Sequence, residues 1–466
     1  MNKKIIIKTW SAAVLILFAS CDKFLSVDPQ EYLSDEATIV DEGSARSAVR
    51  GIYDELRSNN YYGQEFHWLS LLSADNTVYV GSQIVRQQLT NHTVRADFAG
   101  IESAWNAIYS TINRANNVID KVPDLPITAD FTQATKDGFI GEAYFVRALA
   151  YFDLARTWGG VQLVLEPTTS PNDLPNVERS TLQGTYAQVL EDLNNAEALL
   201  PETTNRIRAT KKTVWALKAR YHLYQKEWDE AIDYATRIID DTDNYELVRP
   251  YSAFYAGNAS GTKESVFELY YDINNTNNQR YQWQPSTRGG VAWIKPSNPV
   301  NNEPGNIVEL LIDPNIGGDR SALVELQTIN NAPNWFGLLY YRDNSTDPAF
   351  IIRTAELYLI RAEALAERDA SGDKDASLAD LNAVRARANV PLLGITDVAT
   401  KTDLLLAIEN ENRVEFALEN HRWYDLVRTG RAQSVLNIAS TNRLLLPIPY
   451  SQIQVDPNLK QNPGLD

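Results

Sequence analysis

Apolar residues Phe145, Ala148, Leu149, Phe152 and Ala155 recur at helical spacing, and Val146, Ala150 and Leu154 are apolar on the other side. Residues 142–158 contain no Gly or Pro, so the pattern predicts a helix apolar nearly all round, of the kind buried inside a larger α-protein. Ala143, Ala148, Ala150 and Ala155 leave room for neighbouring helices, and Gly159 and Gly160 supply a left-handed ending. The same periodicity predicts helices over 44–56, with Ala45, Ala48, Val49, Ile52 and Leu56 on one face. It predicts another over 101–122, with Trp105, Ile108, Ile112 and Ala115 in a stripe ended by Pro123, and one over 181–200 stopped by Pro201. Residues 58–100 mix Asn, Gly, Tyr and polar runs and read as loops.

Two helical hairpins follow, over 211–240 and over 353–368 with 376–388, the second joined by the turn-rich DASGDKD. Trp215, Ala219 and Ala231 keep the spacing of a tetratricopeptide (TPR) repeat, although His222 and Ala235 stand where that pattern has aromatics. Helices in pairs predict an α-solenoid, with insertions between the repeats. The largest insertion is about 242–349. Long helical periodicity disappears there, and Asn274, Asn275, Asn277, Asn278, Asn298, Asn301 and Asn302 cluster with Pro285, Pro296, Pro299 and Pro304. Tyr281, Trp283, Trp293, Trp335 and Phe336 are interleaved with these turn residues. Long loops in compact proteins are usually functional or disordered, and aromatics at this density argue against disorder.

The chain has 466 residues, 44% of them hydrophobic and 22% charged, which is globular composition. Its N-terminus has a positive segment (Lys3, Lys4, Lys8), a short apolar run from Trp10 to Phe18, and small residues Ala19 and Ser20 before Cys21, the one cysteine. This is a secretory signal, too short to span a bilayer as a mature helix. Leu17-Phe18-Ala19-Ser20-Cys21 resembles a bacterial lipobox, with Phe18 departing from the usual Leu, Ala or Val. Residues 1–20 are then removed and Cys21 carries the lipid, which leaves no thiol or disulfide chemistry. That cut takes away three lysines and no acids, so the net charge moves from −17 to −20. Such a chain is a poor candidate for nucleic acid or an anionic surface.

Catalytic signals are sparse. His67, His92, His222 and His421 are scattered, with no HExxH, P-loop, GxGxxG or GxSxG. Paired carboxylates for glycoside hydrolysis have no local spacing rule and stay open among 60 acids. Asp369, Asp373 and Asp375, or Asp313, Asn315 and Asp319, have the look of cation loops but lack the EF-hand's final Glu, and read as solvated turns.

Three C-terminal stretches carry a resemblance: FIIRTAELYLIRAEAL (350–365), IENENRVEFALENHRWYDLVRTG (408–430) and LLPIPYSQIQVDPNLKQNPGL (445–465). With WGGVQLV and AVRGIY they resemble the SusD/RagB family of outer-membrane lipoproteins, over essentially the whole mature chain. Asn420 stands where that family usually has Gly, and Asn is the next-best residue for a left-handed turn. The resemblance implies an all-α-dominated fold: a TPR-like solenoid of helix pairs with a loop-rich ligand-binding insertion. The domains are then a signal peptide (1–20) and one SusD-like domain (21–466), with helical parts 21–241 and 350–466 flanking the insertion 242–349. It also implies a lipid on Cys21, a place on the outer membrane facing the cell surface, and a SusC-like TonB-dependent transporter as partner. Family ligands are oligosaccharides or polysaccharides in most members and peptides in some, bound without cofactor or metal.

The motifs mark no ligand residues, so candidates come from chemistry. A sugar presents a C–H face and a rim of hydroxyls, which aromatic faces beside amides and an Arg can match. Tyr281, Gln282, Trp283 and Arg288 supply that set, Trp293, Asn334 and Trp335 add to it, and Tyr79 and Trp68 are second-rank candidates. Trp residues that pin the insertion to the solenoid are the competing reading, since Trp is highly buried on average. The function expected is glycan capture for a transporter. Peptide binding, a surface glycosidase and a protein-binding TPR adaptor are the alternatives.

Overall fold

A computed structural model describes residues 39–168, 177–299, 305–329, 331–456 and 458–465. Polar side chains set the starts of several long helices by accepting orphan backbone N–H groups. Asp41 does so for α1 (Glu42–Leu56), accepting from the Ser44 N–H at 2.8 Å. Helix α2 is Ala99–Lys121, and α3 (Gln133–Trp158) begins under Thr132 and stops at Gly159, whose φ is 84°. Thr181 and Thr210 cap α4 (Leu182–Leu199) and α5 (Lys211–Gln225), followed by α6 (Trp228–Ile239). After the insertion come α7 (Thr354–Arg368), α8 (Asp373–Arg387), α9 (Lys401–Glu415, capped by Thr400) and α10 (Arg422–Arg428).

Helix α3 runs further back than the sequence pattern predicts. Gly138 and Gly141 read as breaks, but they lie inside the helix. A Cβ at Gly141 would stand 2.8 Å from Leu200 Cγ, so the glycine there serves close approach of the chain leaving α4. Nearly every residue of α3 from Phe139 onward is buried. The helices then stack in chain order, each of α1 to α6 packing on the next, and α6 packs directly against α7 across the insertion. That is the repeat logic of a solenoid, in which each pair covers its neighbour's apolar face. The chain is mostly helical, with the small sheets confined to a few strands.

Six strands are found among the described residues: β1 (Thr77–Tyr79), β2 (Ser265–Leu269), β3 (Ile294–Pro296), β4 (Val324–Ile329), β5 (Ala332–Gly337) and β6 (Ala349–Arg353). They pair antiparallel as β1 with β3, β2 with β6, and β4 with β5. The stretch 58–100, read from sequence as loops, is a correction. It contains β1 and short helices at Glu65–Leu71 and Ile84–Thr90, and the first of these is buried on every side. The Tyr61 and Tyr62 hydroxyls donate to buried Asp153 on α3 at 2.7 and 2.6 Å, and Arg156 closes the same carboxylate at 2.7 Å.

A second polar cluster roots the insertion. Arg353, at the end of β6, donates to Glu264 and Glu415 at 2.8 Å and to Glu419 at 2.7 Å. Arg387 adds bonds to Glu264 and Glu415, and Arg320 bonds Glu415 and Glu411. Burial alone would raise the Glu415 pKa, but Arg387, Arg320 and Arg353 outweigh it and hold the carboxyl well below its ordinary range.

The ENHRWYDLVRTG motif is built into the scaffold. Trp423 is buried and stacks on His92 with centroids 5.4 Å apart. Arg422 bonds Asp75 at 2.9 Å, and Arg428 bonds Glu363 and Asp425. Asn420 does not take the left-handed conformation expected of it. The turn closes instead through the Glu419 and His421 N–H groups, on the Phe416 and Glu419 carbonyls, with the His421 ring stacked 4.1 Å from Phe416.

Candidate functional site

The aromatic residues singled out by sequence fall into an inner and an outer set. Trp283 ends the short helix Gln279–Trp283 and is 1% exposed. A Cβ at Gly337 would stand 2.8 Å from its ring, so the base of the β4–β5 hairpin lies directly on it. Trp68 is fully buried on the helix Glu65–Leu71, with the Arg86 guanidinium 4.2 Å from its ring centroid. Neither ring has a face free for a ligand, and both are corrected to supporting residues. Gln279 joins them: its amide oxygen accepts from Trp68 Nε1 at 3.4 Å, and its amide nitrogen lies 3.1 Å from His67 Nδ1. Burial, and then the charge of Arg156, push the His67 pKa down to about 3, so the ring is neutral and accepts that amide proton.

The outer set is more open. Tyr79 on β1 is largely buried, lying 6.2 Å from Trp68 and 6.4 Å from Trp293. Trp293 is half-buried just ahead of β3, and its carbonyl accepts from Val80 N–H at 2.8 Å. Trp335 on β5 is half-buried and is the register partner of exposed Leu326, so both project from one face of the hairpin. Tyr281 is 45% exposed.

Residues of the other hairpin face, Glu325, Gln327, Asn334 and Phe336, turn toward the segment 284–296. There Lys295 Nζ donates to Asn334 Oδ1 at 2.8 Å and lies 5.2 Å from the Phe336 centroid. Arg288 pairs with Glu325 at 2.8 Å and bonds Gln284 Oε1 at 3.2 Å, while Gln327 also donates to Glu325. A polar seam of amides and paired charges therefore runs between the hairpin and β3. Tyr79 and Trp293 belong to its β1–β3 side, and Trp335 and Leu326 project from the opposite face of the hairpin. Sequence reasoning missed Lys295, Glu325 and Leu326, whose place follows from strand register and from no local motif.

A cleft of about 250 Å³ opens between α7, α9 and α10. It is lined by Leu405, Ile408 and charged residues that already pair with one another, Arg428 with Glu363 and Arg422 with Glu409, and it presents no aromatic face. Among the described residues no His, Cys, Asp and Glu side chains gather to hold a metal ion, and no helix is long and apolar enough to cross a membrane. Asp373 is taken up by Arg368, and Asp313 accepts the Asn315 N–H within its own turn. Cys21 lies outside the described residues.

With this geometry in place, comparison with known proteins is specific. Residues 23–223 match a SusD-like family described as starch-binding and associating with the outer membrane, and residues 339–465 match the SusD family. SusD-like protein P38 of Formosa agariphila is 27% identical, over 98% of this chain and 99% of its own length. A SusD superfamily protein from Bacteroides vulgatus superposes with a TM-score of 0.79 at 23% identity, over 92% of this chain and all of its own. A laminarin-binding SusD-like protein superposes with a TM-score of 0.75, also at 23% identity, over 91% of this chain and all of its own. The helix stack, the C-terminal motifs and these matches agree: the chain belongs to the SusD/RagB family, non-catalytic binding proteins associated with the outer membrane.

Proposed function

We propose that this protein captures an oligosaccharide or polysaccharide at the cell surface and delivers it to a SusC-like TonB-dependent transporter in the outer membrane. Cys21 is the lipid-bearing residue that tethers it there. The ligand lies on Trp293, Trp335 and Tyr281, with Tyr79 at the edge and Arg288 among the polar partners. Trp283 and Trp68 act from beneath as the rigid backing of those rings. The observation that carries this reading is the pairing of part-exposed rings with a seam of amides and charges, since rings take a sugar's C–H face and amides take its hydroxyls. Preorganised rings lose little entropy on binding, which is why such anchors dominate affinity. The laminarin-binding relative supports a glycan over a peptide.

Affinity electrophoresis across neutral and acidic polysaccharides tests the reading, with Trp293→Ala and Trp335→Ala as probes. At least one polysaccharide should retard the protein, and both variants should lose retardation while melting near the parent. Retardation unchanged in both variants would move the site elsewhere. Shortened chains in the recovered polysaccharide would contradict a non-catalytic role. Co-purification of a transporter barrel with the tagged protein tests the partnership, and release of Cys21→Ala from membranes stripped of transporter tests the anchor.

A further inference from the structure

The seam between the hairpin and β3 holds its cations in a particular state. Arg288 Nη2 sits 2.8 Å from Glu325 Oε2, with both side chains about one-third exposed, at 32% and 36%. Gln327 Nε2 donates to the same carboxylate oxygen at 2.8 Å, which fixes Glu325 facing Arg288. Behind the seam Arg280 faces Asp343 at 3.0 Å. Beside Tyr79, Arg86 lies over Trp68 and is closed by Glu65 at 2.7 and 3.1 Å. Lys295 is held on the Asn334 carbonyl above the Phe336 ring. Three guanidinium groups around the rings thus already have carboxylate partners.

We infer that this surface selects uncharged glycans, and that Glu325 sets the selection by occupying Arg288. The inference rests on the proposed glycan site and deepens it. A hydroxyl crossing the seam meets amides and paired charges that donate and accept at once. A sugar carboxylate meets Glu325 as a like charge, and reaches Arg288 only by displacing it. Like charge brought into register at a partly dehydrated contact is what specific binding sites use to reject the wrong ligand. The chain's overall negative charge also repels polyanions, but that field is spread over the whole surface and is screened within about 8–10 Å by physiological salt. The pair at 2.8 Å acts locally and is screened less.

The two causes separate by experiment. Soluble starch, laminarin and galactomannan are each compared with a product of the same backbone whose C6 hydroxyls have been oxidised to carboxylates, by affinity electrophoresis at 0.15 M salt. A neutral polymer should be bound, and its oxidised counterpart at least tenfold more weakly. Glu325→Gln releases Arg288 and should narrow that ratio about fivefold, the size of an exposed ion pair. Arg288→Gln leaves Glu325 unopposed and should widen it, which keeps the test alive if the first variant folds poorly. Glu191→Gln, the same charge change at an exposed position of α4, should leave the ratio where it was. Oxidised polymer bound as tightly as its parent overturns this inference and leaves the glycan site standing. So does an unchanged ratio in Glu325→Gln, or an equal shift in Glu191→Gln. Retention of none of the six polymers overturns the glycan reading, and this inference with it.

Discussion

Two guanidinium–carboxylate systems, one at the root of the insertion and one at its outer edge, do opposite work. At its root, Arg353 and Arg387 grip Glu264, Glu415 and Glu419 with side chains 0–7% exposed. At its outer edge, Arg288 and Glu325 meet with about one-third of each side chain in water. In the first system the ions have no solvent to fall back on, so loss of one partner strands the others. In the second, water replaces whatever is removed. The chemistry is the same in both: depth decides whether a charge pair holds the fold or adjusts a surface.

The deep system should give the largest effect when broken. Arg353→Met leaves three buried carboxylates short of a donor and should cost about 3–5 kcal/mol in urea unfolding. A loss under about 1 kcal/mol would show that water reaches the cluster and erase the contrast. The rings sharpen the same comparison. Trp283→Ala should cost about 3–5 kcal/mol of stability, as a buried ring under the hairpin base. Trp335→Ala should stay within about 1 kcal/mol of the parent in melting but lose about 2 kcal/mol, near thirtyfold, in calorimetric affinity for a bound oligosaccharide. If both variants bind normally, the ligand surface lies elsewhere.

Acid probes the interior directly. The His67 pKa is depressed to about 3 from its ordinary value near 6.5. The unfolded chain therefore binds a proton that the folded chain refuses between those limits. Stability from this group is complete above pH 6.5 and is lost as pH falls toward 3, by as much as about 5 kcal/mol. His67→Gln, which still offers an oxygen to the Gln279 amide, should flatten that limb of the stability profile. An unchanged slope between pH 6 and 4 would mean the ring is not desolvated. Smallest of all is Glu325→Gln, expected within about 0.5–1 kcal/mol of the parent in urea while its binding selectivity changes. A large stability loss there would make the outer pair structural after all.

How much of this was legible in sequence depends on how locally each feature is determined. The long helices were, because their periodicity and caps lie within a few residues of one another; even the misplaced start of α3 traces to two glycines, one of which, Gly141, is there for a neighbour at Leu200. The stretch around Tyr61 was not, since Asn59, Asn60 and Gly63 give it the composition of a loop, and the hydroxyls of Tyr61 and Tyr62, just ahead of its helix, are held by Asp153, some ninety residues on. Trp283 and Trp335 look alike in sequence, and Gly337 separates them by lying on one of the two rings. Asn420 shows the limit of analogy by position: a residue type suited to a left-handed turn does not oblige the backbone to make one.

The pairing of β2 with β6 has a consequence for how such a protein changes over generations. Leu269 and Ala349 are register partners, so the chain between them starts and ends at one doorway, while Arg320 and β3 tie its middle back to Glu415 and β1. Lengthening a segment closed at its base costs only logarithmically in chain entropy. The doorway is fastened by Arg353 and Glu264, which any exchanged segment would leave in place. The outer part of a binding segment mounted this way can change between relatives, so long as Arg320 and β3 keep their hold on Glu415 and β1.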